Sequence, residues 1–126
     1  MRPRRGAAAV EFALVAVLIV LLAAAGTELP WALFQQARLR SEVRVAARAA
    51  AAVPIDDDPA ATFLASFPGD TATATVSGTP PSRALDVTVS RAPRALLGAG
   101  LFGVFGLDAL QARHTVRLED QRPEAP

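Results

Sequence analysis

The chain contains no cysteine. No disulfide holds any part of it, and thiol chemistry and cysteine-based metal sites are excluded. It has a single histidine, His114, which cannot build a histidine-rich zinc site. No nucleophile, base and orienting acid can be assembled around that histidine, and no phosphate-binding loop is present. The chain therefore reads as a non-enzyme with no catalytic, cofactor or metal site. Asp56, Asp57 and Asp58 lack the further spaced ligands of a calcium loop and read as a solvated turn. Charge of one sign is also lacking. The formal net charge is +1, which creates no global field to attract nucleic acid. There is no internal repeat. Aromatic side chains are few, with only six Phe, and Ala dominates the apolar count. A core drawn from the roughly 70 residues beyond the first segments is marginal by itself. An attached helix or neighbouring subunits are expected to complete it.

What the chain does have is unevenly placed. Residues 1–6 form a short basic leader. Ala7 to Gly26 reads AAAVEFALVAVLIVLLAAAG, apolar on every face apart from Glu11. Its length is about the 20 residues that a bilayer requires. Arg2, Arg4 and Arg5 precede it, with no acid before Glu11. Basic residues are retained on the cytoplasmic side of a span. The expected arrangement is a single pass through the cytoplasmic (inner) membrane, with the N-terminus inside and the remainder outside. Ala23 to Ala25 resembles a signal-peptidase site, which leaves a secreted domain starting at Gly26 as a rival reading. Glu11 argues against it, because a carboxylate inside a cleaved apolar core would be a defect.

The span is assigned to residues 7–29. Thr27, Glu28, Leu29 and Pro30 mark its exit, and Pro30 is a position where a helix can kink. Trp31 and Phe34 follow, where aromatic side chains favour the membrane interface. Residues 30–53 are Ala- and Arg-rich and read as a helical extension. Leu39, Val43, Ala46 and Ala50, interleaved with Leu33, Ala37 and Arg40, leave a narrow apolar stripe. Arg40, Arg44 and Arg48 line another face at i, i+4 spacing. They read as a solvated face or as partners for acids of a neighbouring subunit. Unbroken, Ala7 to Val53 makes a helix of roughly 70 Å.

Residues 54–126 are expected to form a small β-rich domain outside the cytoplasm, with a polar tail. Asp58-Pro59 reads as an N-cap followed by a first-turn proline. It opens a short helix over Ala60 to Phe67, with Phe63, Leu64 and Phe67 on one side. Thr71 to Ser77 and Ala84 to Ser90 alternate as the strands of a hairpin. Ala95 to Leu107 is apolar and glycine-rich, too short to be a second span. It reads as a loop over the core or as an apolar contact patch. Leu110 to Glu119 alternates again and supplies a third strand. The fold class is thus α+β: a long N-terminal helix, its first half transmembrane, carrying a small antiparallel three-stranded sheet.

The segment Arg4-Arg5-Gly6-Ala7-Ala8-Ala9-Val10-Glu11-Phe12 resembles a type IV prepilin motif, and its Glu-Phe pair resembles the type IVb, Flp-like branch. The overall plan resembles the TadE/TadG-like proteins of the tight adherence (Tad) pilus system, with the same leader, an Ala/Arg-rich extension such as ARLRSEVRVAARAAA, and a small β-rich domain. The length is similar to TadE-like proteins rather than to the much shorter Flp major pilins. The resemblance implies that a prepilin peptidase cuts after Gly6 and leaves Ala7 as the new N-terminus. It implies that Glu11 is the acid of the motif and Phe12 its aromatic neighbour. Ala7 stands where many type IV pilins begin with a methylated Phe. The partners it implies are the peptidase, other pilin-like subunits, Tad assembly proteins and the lipid bilayer. The function it implies is that of a minor pilin or pseudopilin. The alternative is an unprocessed single-pass anchor for a periplasmic or cell-surface domain of unrelated role.

Overall fold

A computed structural model describes residues 4–53, 57–79, 82–96, 106 and 108–118. Of the sequence expectations, those for residues 1–3, Pro54, Asp56, the Pro80-Pro81 turn, the glycine-rich stretch 97–105 and the tail from 119 onward lie outside the described residues.

Helix α1 runs over Arg4–Ala51, a 48-residue element of about 70 Å. Pro30 sits inside it. Its ring removes one N–H from the i to i−4 ladder, yet the helix continues through the position where the sequence permits a kink. The two halves of α1 meet different surroundings. Among the described residues nothing buries the apolar stretch of the span. The second half buries a stripe of Ala32, Leu39, Val43, Ala47 and Ala50, with Ala46 half-buried beside it. These positions are spaced by three, four or seven residues, which puts them on one face. Leu33, Ala37 and Arg40 point away from that face.

Asp58 opens the next element as anticipated. Its Oδ1 accepts from the Ala60 N–H at 2.9 Å, and Pro59 takes the first position of α2 (Pro59–Ala65). A side-chain acceptor at this position satisfies a backbone donor that the helix cannot. Phe63 and Phe67 lie four residues apart and are both buried, with ring centroids 5.1 Å apart. Leu64 departs from expectation. It is rotated about 100° from Phe63 by helical pitch and is exposed rather than packed.

Three strands follow: β1 (Thr71–Ser77), β2 (Ala84–Arg91) and β3 (Leu110–Arg117). They form an antiparallel sheet in the order β1-β2-β3. Gly78 leaves β1 with φ +88°, a conformation that L side chains rarely adopt. The alternation read from the sequence matches the burial. Leu85, Val87 and Val89 of β2 are fully buried. Val76, Ala74 and Ala72 flank them in register on β1, and Val116, His114 and Ala112 on β3. His114 is thus a half-buried strand residue on the core side. Helix α1 packs chiefly on β3 and α2 on β1, so the two helices cover one face of the sheet. The other face carries Thr71, Thr73, Thr75 and Thr88. The result is a two-layer α+β domain in which α1 supplies much of one layer.

Because α1 supplies one wall of the core and leaves its other face exposed, one helix offers an internal control. Leu39→Ala should destabilise the domain by about 2–5 kcal/mol, while Leu33→Ala should stay within about 0.5 kcal/mol of wild type. Thermal or denaturant unfolding of the full chain in detergent, followed by near-ultraviolet circular dichroism, measures both.

Candidate functional site

The residues singled out by the sequence lie together on the uncovered half of α1. Gly6 is exposed, and a side chain there would meet nothing within 4 Å. Ala7 and Glu11 are exposed and four residues apart, and so share a face one turn from each other. Phe12 is 74% exposed on the adjoining face. Val10, Leu14, Val17, Leu18 and Leu21 continue the apolar surface around the helix. A helix apolar on every side, with none of the described residues covering it, is satisfied by lipid or by other apolar helices.

Where this surface ends, a polar joint begins. Glu28 is only 1% exposed. One carboxylate oxygen accepts from the Leu96 backbone N–H at 3.1 Å. One turn further, the Trp31 indole N–H donates to the Arg94 carbonyl at 2.8 Å. Gln35 grips the same residue twice: its Nε2 donates to the Arg94 carbonyl at 2.9 Å, and its Oε1 accepts from the Arg94 N–H at 2.9 Å. Gln36 Nε2 donates to the Gln111 carbonyl of β3 at 2.6 Å. Four side chains of α1 thus hold the backbone that leaves β2 and enters β3. Sequence reading left Glu28 without a role. The available signal was periodic: Glu28, Trp31 and Gln35 continue the stripe of Ala32 and Leu39 toward the span.

A second polar cluster ties three segments of the chain together. Arg91, at the end of β2, donates from Nε and Nη2 to Asp70, the shorter bond being 2.7 Å, and from Nη1 to Glu42 of α1 at 3.0 Å. Arg38 pairs with the other Glu42 oxygen at 2.9 Å. Hydrogen bonds from Arg91 hold the Asp70 carboxyl below the usual carboxylate range against the opposing effect of burial. For Glu42, burial pushes upward, and the hydrogen bonds from Arg38 and Arg91 outweigh it to leave the group lowered. The same bonds, Asp70 first, raise Arg91. On the open face of the sheet, the Thr115 hydroxyl donates to Asp86 and lowers its carboxyl likewise. The Arg91 cluster borders a cleft of about 550 Å³ lined by Trp31, Phe34, Gln35 and Arg94 among others. Trp31 and Phe34 stack along its rim at 5.7 Å. Arg40, Arg44 and Arg48 are exposed and form no ion pair among the described residues. No group of three metal-ligating side chains occurs among the described residues.

Among the described residues one helix is long and apolar enough to cross a membrane, and it continues into the core of a two-layer α+β domain, the plan of a single-pass membrane anchor. Residues 6–48 match the family model described as TadE-like protein, the family that the leader and helix resemble. The match covers about a third of the 126 residues. It takes in Gly6, Ala7, Glu11, Phe12 and the joint at Glu28, and it stops before α2 and the sheet. It supports a pilin-like role associated with Tad pili. No curated protein and no solved structure matches the chain.

The Arg91 cluster makes stability depend on pH with a defined sign. Asp70 and Glu42 are both lowered. Their contribution is therefore complete above the unfolded carboxylate values of about 4, and it is lost as pH falls through the lower folded values. Arg91→Gln should cost about 1–2 kcal/mol at pH 7 for a partly exposed charged network, and it should flatten the acid limb of the stability curve. An acid limb unchanged in the variant would assign that pH dependence to other groups.

Proposed function

We propose that this protein is a minor pilin-like structural subunit of a Tad-type, type IVb pilus assembly apparatus. In this reading a prepilin peptidase cuts after Gly6, assembly proteins take up the product from the membrane, and α1 packs among the helices of other pilin-like subunits. The observation that carries it is the uncovered apolar half of α1, bearing Gly6, Ala7 and Glu11 inside the segment that matches the TadE-like model. The protein has a structural role, not a catalytic one. The basic leader places the N-terminus in the cytoplasm and the α+β domain outside the cytoplasmic membrane.

Glu11 gives the reading its chemistry. Cleavage after Gly6 creates a free amine at Ala7 that is positively charged near neutral pH. In the monomer, the amine and the carboxylate lie near the cytoplasmic interface, where water and helix tilt soften the cost. In a packed helical assembly they leave that water, and an unpaired carboxylate becomes expensive. Pairing with an amine, supplied by a neighbouring subunit, then sets the axial register of one helix against the next.

Two substitutions test this at different steps. Gly6→Leu should leave uncut precursor in the membrane, because the peptidase needs a small residue at the cut. Trimming as efficient as in wild type would remove the prepilin assignment. Glu11→Ala should insert and be cut normally, yet lose co-purification with other pilus components. Normal co-purification and normal piliation in that variant would end the charge-pairing role and leave the cleavage reading standing. A simple anchor predicts no assembly defect from either change.

A further inference from the structure

We propose that the base of the α+β domain, formed by Leu29 and Phe34 of α1 together with Arg94 and Leu96, seats in the phospholipid headgroup layer as a second membrane contact. This rests on the reading of the apolar half of α1 as a membrane span.

Height along the helix sets what meets the bilayer. The apolar run from Ala7 to Gly26 is long enough to fill the hydrocarbon core, and the polar layer adds about 5–8 Å on each side. Glu28 is two residues beyond that run, or about 3 Å along the axis. Side chains on a helix lean toward its N-terminus, so the Glu28 carboxylate reaches back toward the bilayer. It is that carboxylate that accepts the Leu96 N–H. The bonds of Trp31 and Gln35 to Arg94 fix the preceding residues one to two turns higher. The chain leaving β2 is thereby brought down to the level where the span ends. Ala24 and Ala25, in the last turn of the run, are already half-buried.

What is presented at that level suits a lipid interface. Leu96, tied to Glu28, is 58% exposed, and Leu29 and Phe34 on the same stretch of α1 are exposed as well. In water, such side chains would form an apolar patch continuous with the span. Trp31 stacks on Phe34 in the position where aromatic belts sit. Arg94 is exposed, with its backbone occupied by α1 and its side chain in no ion pair among the described residues. From one to two turns above Glu28, the long side chain of an arginine reaches down to lipid phosphates. Glu28, Trp31 and Gln35 thus hold a membrane-facing foot in place, and the domain has a fixed tilt on the bilayer instead of swinging on a stalk.

The absence of cysteine makes the test direct. Single-cysteine variants of the full chain, Leu96→Cys, Val15→Cys and Thr75→Cys, are labelled with an environment-sensitive dye. They are reconstituted in phosphatidylcholine–phosphatidylglycerol vesicles with and without brominated acyl chains. Val15 reports the span and Thr75 the distant open face of the sheet. Quenching at 96 clearly above background but weaker than at 15, with 75 at background, is the expected result. Quenching at 15 with 96 at background overturns the foot and leaves the span intact. A label at 96 that brominated lipid fails to reach, yet is shielded from an aqueous quencher, overturns it in favour of a protein cover such as a second copy. Background quenching at all three positions overturns the span and the foot together.

Discussion

A sheet can cover one stripe of a helix, so a helix that is apolar on every face cannot be satisfied by the domain it belongs to. That constraint governs α1. Between Val10 and Leu22 its large apolar side chains are all exposed. Each is worth about 1.5–3 kcal/mol on removal from water, so this half of the helix has no stable place in an aqueous phase. Lipid and other apolar helices satisfy it about equally well, because lipid tails are as apolar as leucine. The choice between them is then decided by smaller effects. Ala7, Ala8, Ala9, Ala13 and Ala16 allow close backbone approach. Glu11 adds a group that gains from a charged partner and gains nothing from hydrocarbon. A subunit that must rest in a membrane and then leave it for an assembly requires this near balance.

The second half of α1 shows why the domain moves with the helix. Its core is small and alanine-rich, and Leu39, Val43, Ala47 and Ala50 form one wall of it. Phe63, Phe67, the β2 residues Leu85, Val87 and Val89, and Leu110, Ala112 and Leu118 in and after β3 form the rest. Detaching α1 would expose the sheet, so a force applied to the helix is borne by the whole domain. The Arg91 bonds to Glu42 and Asp70 add direction to that packing. They join α1, the start of β1 and the end of β2 at one point, where apolar contacts alone would permit sliding. The joint at Glu28, Trp31 and Gln35 does the same at the membrane end.

The elements themselves were legible because their signals are local. The apolar run, the Asp58-Pro59 start of α2 and the period-two alternation of all three strands each need only a few neighbouring residues. Leu39, Val43 and Ala50 were legible as a packed stripe for the same reason. Leu64 was not, because three apolar residues within five positions do not reveal which of them turns outward. The polar joints were illegible for a different reason. Glu28 meets Leu96 across 68 residues and Arg91 meets Glu42 across 49, separations that no local pattern encodes. Asp70 and Arg91 were closer to reach, since the pairing of Thr71 with Ser90 follows from the hairpin and sets them side by side. For Gly6, Ala7, Glu11 and Phe12 the motif carried the meaning. The structure adds that they are uncovered and that Ala7 and Glu11 share a face.

The account depends most on where the mature chain begins, because the pairing of a new amine with Glu11 requires a cut after Gly6. Sequencing the N-terminus of the protein recovered from membranes of cells that carry a prepilin peptidase decides this. The account predicts Ala7 as the first residue. A chain that still begins at Met1 would reduce the protein to a plain anchor, and one beginning at Gly26 would make it a secreted domain.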